Sequence, residues 1–207
     1  TLSVRAATAR TELDNFGGPG GDDPNSVQDY RTLHVGAHMR DLSRSGLWER
    51  TLSVSWLGAR RENVNPFDEA HPQDREEGFY RSDLFKLGWQ NNFFLRRSHT
   101  LTAGLELEEE KGRSDYVSES AWGIVASPFP SARAGSAGVY LLDHWEVQDR
   151  LFVTAGIRAE RHSLAGPALT FRVAPAYLIA ATGTRLKASL GTGFKSPSLY
   201  QLYAPET

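Results

Sequence analysis

The chain has 207 residues, with 23 Lys and Arg against 25 Asp and Glu and a net charge of −2. No basic field is present to draw nucleic acid, and the lack of cysteine excludes disulfides, thiolate metal sites and cysteine nucleophiles. Hydrophobic residues make up 40%, yet no apolar run approaches the roughly 18 residues of a membrane helix. Residues 173–181 form the longest candidate. A membrane β-barrel shows no such run, because lipid-facing and lumen-facing residues alternate.

Period-two alternation starts at once, with Leu2, Val4 and Ala6 opposite Ser3 and Arg5, and predicts a strand. Nothing like a signal peptide precedes it. Residues 11–28 carry Gly17, Gly18, Pro19, Gly20, Gly21 and Pro24 and read as a long loop. Leu33, Val35, Ala37 and Met39 then alternate with Thr32, His34, Gly36 and His38, and a short connection at 43–46 leads to Leu52, Val54 and Trp56. A second long loop is expected over 61–77. Phe85, Leu87, Trp89 and Phe93 mark the next strand, and Leu101, Ala103, Leu105 and Leu107 the one after it. A third long loop is expected over 111–133. Ala137, Val139 and Leu141 follow, then a tight turn at 147–149 and a strand through Leu151, Val153, Ala155, Ile157 and Ala159. Two more strands cover about 168–181 and 184–194. The expected fold is an all-β antiparallel meander of about nine strands with no substantial helix. Long and short connections alternate, as in outer-membrane barrels with short periplasmic turns and long external loops.

The run G-T-G-F-K-S-P-S-L-Y-Q-L-Y, from Gly191 to Tyr203, resembles a barrel signature of TonB-dependent outer-membrane receptors. It is most similar to their cobalamin branch, with its G-T-[GS]-[FY]-K-[AS]-P-x-L-x-Q-L-Y pattern. The matching residues are Gly191, Gly193, Phe194, Lys195, Pro197, Leu199, Gln201, Leu202 and Tyr203. A second stretch, Asp143 to Glu160, is similar to the family hairpin D-E-W…D-R-L-x-L-x-x-G-x-R-Y-[DE], with His144 in place of the glutamate and Ala159 in place of the aromatic. The resemblance implies residues 1–207 are one segment of a 22-stranded transmembrane β-barrel in the bacterial outer membrane, without the plug domain. It also implies import of cobalamin or a ferric siderophore as cargo. TonB and the plug would act as partners only in the full-length protein, and the lipid bilayer would surround the wall. Both ends of the chain look cut, so a piece of a longer receptor is expected, prone to self-association through its unpaired edge strands.

Several candidate sites stand beside plainer readings. Polar faces rich in Ser, Thr, Gly, Arg, Glu and Lys fit a barrel lumen against a plug, or the solvated face of a soluble sheet. Trp48, Trp56, Trp89, Trp122, Trp145, Tyr80, Tyr140 and Tyr177 fit an interfacial girdle or core aromatics. Oxygen-rich loop residues Asp14, Asn15, Asp22, Asp23, Asn25 and Asp29 suit Ca2+, with Asp22 and Asp23 first. They equally suit turn formation, and the spacing of a regular calcium loop is absent. His34 and His38 share a face but stand ~13 Å apart, too far to chelate one metal. The Glu106-to-Lys111 run reads as a cation-attracting rim or a solvated edge. Ser196 to Tyr203 either meets cargo or caps the strand. No nucleophile elbow or carboxylate pair stands out, so no enzyme is expected. The alternative architecture is a small self-contained β-barrel that binds a ligand, which requires its first and last strands to pair.

Overall fold

The computed structural model describes residues 1–12, 22–70, 72, 75–95 and 98–203. Asp14, Asn15, His71 and the glycines at 17–21 lie outside the described residues. Eleven strands and one helix follow in chain order: β1 (Leu2–Glu12), β2 (Val27–Leu42), β3 (Trp48–Asn65), β4 (Arg75–Phe94), β5 (His99–Ser120), β6 (Gly123–Ala126), β7 (Phe129–Val147), β8 (Leu151–His162), β9 (Gly166–Ile179), β10 (Thr184–Lys187), β11 (Leu190–Gly191) and α1 (Leu199–Tyr203). They make one sheet in the order β1-β2-β3-β4-β5-β7-β8-β9-β10. Strand β6 folds back on β5, and β11 continues past β10 along β9. Every main strand is antiparallel to its neighbour in sequence, the meander that the alternation predicts.

Register gives the sheet two unlike faces. Residues directly opposed on an antiparallel pair point the same way. The row Met39, Leu52, Trp89, Leu105, Val139, Ala159 crosses six strands on one face. The adjacent row His38, Ser53, Gly88, Glu106, Gly138, Glu160 crosses the same strands on the other. A slip of one residue in any pair would carry that strand's apolar set to the polar side.

The apolar face has no cover. Among the described residues, Ala134 and Leu199 are the only buried hydrophobics, while Leu33, Leu52, Phe85, Trp89 and Val139 are exposed and Leu169 is 68% exposed. A soluble sheet buries such a face under a second layer, and a contiguous patch of this extent marks a membrane or partner surface.

Strand length exceeds what a bilayer needs. β2, β3, β4 and β5 run for 16, 18, 20 and 22 residues, against the roughly 9–11 that cross the hydrocarbon. The surplus lies at the end with the longer connections, 13–26 and 66–74. The 61–77 stretch is accordingly strand up to Asn65 and again from Arg75. Residues 111–133, expected as a loop, are strand to Ser120, again over Gly123–Ala126 and from Phe129, with a register shift between Gly112 and Ser114. Both faces there are polar, so hydrophobic contrast does not reveal the pairing. At the opposite end lie the tight connections 43–47, 95–98 and 148–150. In the last, Gln148 and Asp149 take φ of 53° and 57°, and the Arg150 amide donates to the Val147 carbonyl at 3.1 Å. That is a type I′ hairpin turn, whose twist matches the strands it joins.

Among the described residues the sheet is open. β1 pairs only with β2, while β10 and β11 pair only with β9.

Candidate functional site

The polar face carries a lining that runs from strand to strand. Near the tight turns, Arg40 on β2 pairs with Glu49 on β3. Glu49 also accepts a hydrogen bond from Asn92 Nδ2 on β4 at 3.0 Å. Asn92 Oδ1 accepts from Thr102 on β5 at 2.8 Å and from Gln90 at 3.2 Å. The Tyr140 hydroxyl on β7 donates to Gln90 Oε1 at 3.0 Å. One polar seam thus joins β2, β3, β4, β5 and β7 on a single face.

Two glycines permit contacts that skip a strand. Tyr140 reaches β4 by lying over Gly104 of β5, where a Cβ would sit 2.2 Å from the ring. Arg158 on β8 reaches Glu106 on β5 by crossing Gly138 of β7, where a Cβ would sit 2.8 Å from its guanidinium. Arg158 also pairs with Glu160 at 2.8 Å, and Lys86 pairs with Glu108 at 2.6 Å. The Glu106-to-Lys111 run is therefore split by the strand. Glu106, Glu108 and Glu110 face the polar side, Glu106 and Glu108 within ion pairs, while Glu109 faces outward with Lys111 and Arg133.

The 191–203 segment leaves the sheet and lies against this face. Its last ladder pair is Gly191 with Arg172. Ser196 donates to Glu160 at 3.1 Å, and Leu199 is 1% exposed, seated on Ala134 of β7. Ser198 and Gln201 satisfy each other's backbone. The Gln201 amide donates to Ser198 Oγ at 3.3 Å, and the Ser198 amide donates to Gln201 Oε1 at 3.0 Å. This is a capping box that starts α1. The S-x-x-Q spacing is its signal in the sequence. Pro197, Leu199 and Gln201 are thus brought together at the wall. Gly193 has no close neighbour, and Lys195, Phe194, Leu202 and Tyr203 are exposed on the same segment. A hollow of about 150 Å3 lies under it, lined in part by Glu108, Glu110, His162 and Ser196.

Asp22 and Asp23 differ in setting. Asp22 is exposed, whereas Asp23 is 1% exposed and accepts from Asn65 Nδ2 at 2.8 Å. Asn25 Nδ2 donates to Asp68 at 2.7 Å, while the side-chain carbonyl oxygens of Asn25 and Asn65 are buried without a donor. An oxygen-rich corner, with two amide groups donating into it, forms from Asp23, Asn25, Asn65 and Asp68. Among the described residues no three His, Asp or Glu side chains cluster as a metal site, so a cation here would lean on amide oxygens. His34 and His38 point to the polar face, and among the described residues they join no metal-ligating cluster.

On the apolar face, Trp48, Trp89, Trp145 and Tyr177 gather toward the tight-turn end. Trp48 stacks on Phe93 at 5.9 Å and Trp145 on His99 at 5.5 Å. Trp56 lies on this face farther up the wall, Tyr80 and Tyr140 turn to the polar side, and Trp122 is 97% exposed between β5 and β6. A hollow of about 590 Å3 opens on this apolar face between Trp48, Arg50, Leu52 and Trp89.

A single-layer antiparallel wall, apolar outside with an aromatic girdle and polar inside, defines a transmembrane β-barrel. A family model described as TonB dependent receptor-like, beta-barrel matches residues 2–206, and the chain belongs to that family. It is a barrel domain of outer-membrane nutrient receptors, which are transporters and not enzymes. The polar face is thus the lumen, and the apolar face meets lipid.

Proposed function

We propose that this chain is part of the wall of a receptor that imports a large, scarce nutrient, cobalamin or a ferric siderophore, with energy relayed through TonB. The observation that carries the reading is the 191–203 segment. Its sequence is similar to that of the cobalamin branch, and its capped turn lies on the lumen wall, where a plug and passing cargo would meet it. Among the described residues β1 pairs only with β2 and β10 only with β9, which supports a wall completed by further strands. The alternative, a small closed barrel, needs β1 to pair with the last strand, and in this sheet it pairs only with β2. We also propose Ca2+ at the Asp22–Asp23 corner, on the strength of its buried amide oxygens beside Asp23.

The test is uptake. Receptor-null cells carrying the full-length protein are given radiolabelled cyanocobalamin or a labelled ferric siderophore, with and without TonB. TonB-dependent accumulation of cyanocobalamin supports the first cargo and of the siderophore the second. Accumulation of neither overturns the cargo reading.

A further inference from the structure

Four arginines that are scattered in sequence form one row on the lipid-side face. Arg31 of β2 opposes Arg60 of β3, Arg60 opposes Arg81 of β4, and Arg81 opposes Arg113 of β5. Neighbours in the row stand about 5 Å apart. Like charges directly opposed across strands destabilise a sheet, so the row calls for anions. The chain supplies some of its own: Arg60 pairs with Glu62, Arg81 with Asp83 at 3.3 Å and Arg113 with Asp115 at 2.7 Å. Arg31 has no ion pair among the described residues. All four arginines stay exposed, the side chains of Arg60, Arg81 and Arg113 at 55%, 63% and 61%.

Position decides what kind of anion suits the row. It lies immediately above the apolar band, with Leu33 two residues below Arg31 and Trp56 four below Arg60. It faces the longer connections, hence the external side of the membrane. The Trp56 ring lies over Gly58, where a Cβ would sit 2.7 Å from it, and a hollow of about 260 Å3 opens between these levels. Three arginines and one acid, Asp83, stand around it, with Leu33 and Trp56 as the apolar wall. A basic rim over an apolar wall complements a phosphate joined to acyl chains, rather than a free ion.

We propose that this notch docks a net-anionic phosphate-bearing lipid of the outer leaflet, its phosphate between Arg31, Arg60 and Arg81 and its chains along Leu33, Trp56 and Phe85. The proposal rests on the chain forming a membrane barrel and is independent of which cargo is carried.

The experiment is native mass spectrometry of the full-length receptor in micelles holding phosphatidic acid and phosphatidylcholine in equal amounts. The wild type retains phosphatidic acid in preference. R31Q/R60Q/R81Q lowers that preference about tenfold or more, since each basic group beside an anionic headgroup contributes appreciably. R31K/R60K/R81K, which keeps the charges, retains it. Heat-modifiable migration and labelled-cargo uptake, read on the same proteins, establish that each variant has folded and that the receptor reading stands. Equal lipid preference in wild type and the glutamine variant overturns the proposal, and leaves the row as a rim balanced by its own acids. Displacement of the lipid by excess inorganic phosphate also overturns it, in favour of a simple anion site.

Discussion

At the residue scale, the lumen seam turns on side chains that cross a glycine. Tyr140→Phe removes only the hydroxyl bond to Gln90, worth about 1 kcal/mol. Gly104→Ala is the harsher change, because its Cβ would meet the Tyr140 ring at 2.2 Å and drive the ring from its place. It should cost about 1–3 kcal/mol. Urea unfolding of the full-length receptor in micelles checks the order, and a Gly104→Ala no worse than Tyr140→Phe would mean that the ring has room to move. Arg158 lends itself to a double-mutant cycle with Glu106. Both are partly exposed, at 34% and 49%, so a coupling of only about 0.5–1 kcal/mol is expected. Calcium at the Asp22–Asp23 corner also belongs to this scale. Millimolar CaCl2 should raise the Tm of the receptor and MgCl2 should not, by selective binding to the folded state. Asp23→Asn should abolish the rise, and a Tm indifferent to calcium in the wild type would exclude the site.

At the element scale, the signature segment is held to the wall by the Leu199 contact with Ala134 and the Ser196 bond to Glu160, and internally by its capping box. Leu199→Ala should loosen it by about 2 kcal/mol. The Leu202 amide, which donates to the Ser198 carbonyl at 3.1 Å, would then exchange about thirtyfold faster while strand amides keep their protection. Uniform loss of protection would mean instead that the segment is coupled to the whole wall. The β7–β8 turn offers a gain. Gln148 and Asp149 both occupy the left-handed region, and an Asn-Gly pair suits a type I′ turn better. Combining Gln148→Asn with Asp149→Gly should stabilise the receptor by about 0.5–1 kcal/mol, and lower urea resistance would contradict the turn geometry. The elements were unevenly legible. Leu33 to Met39 and Leu151 to Ala159 announced their strands because one face meets lipid. Lys111 to Ser120 did not, since both its faces meet water and pairing with β4, β6 and β7 keeps it extended. The helix was hidden for another reason: five residues are too few for helical periodicity, and only Ser198 and Gln201 betray it.

At the scale of the whole molecule, sidedness was written in the sequence but adjacency was not. Extending the alternation puts Arg31, Arg60 and Arg81 on outward faces, whereas Arg113 falls in a stretch expected as loop, and the alignment of all four depends on four strands holding one register over long connections. The same limit applies to the lumen seam from Arg40 to Tyr140. Openness of the sheet has its own consequence. The Thr1 amine donates to the His38 carbonyl, and the His38 amide donates to the Thr1 carbonyl at 2.8 Å. In an antiparallel ladder the bonded pairs then recur at every second residue, so the amides of Leu2, Val4 and Ala6 point to the unpaired edge. Such an edge templates further strands, and the apolar face adjoining it is exposed. Residues 1–207 prepared alone should therefore require detergent and associate through β1 or through the β9–β11 edge. Val4→Pro removes an edge donor without breaking a bond to β2 and should lower the associated fraction in sedimentation analysis. If Val4→Pro associates as the parent does, the edge of β9–β11 is the joint. A monodisperse monomer of the parent chain in detergent-free buffer would refute both, since it would mean that the two edges and the apolar face find cover within the chain itself.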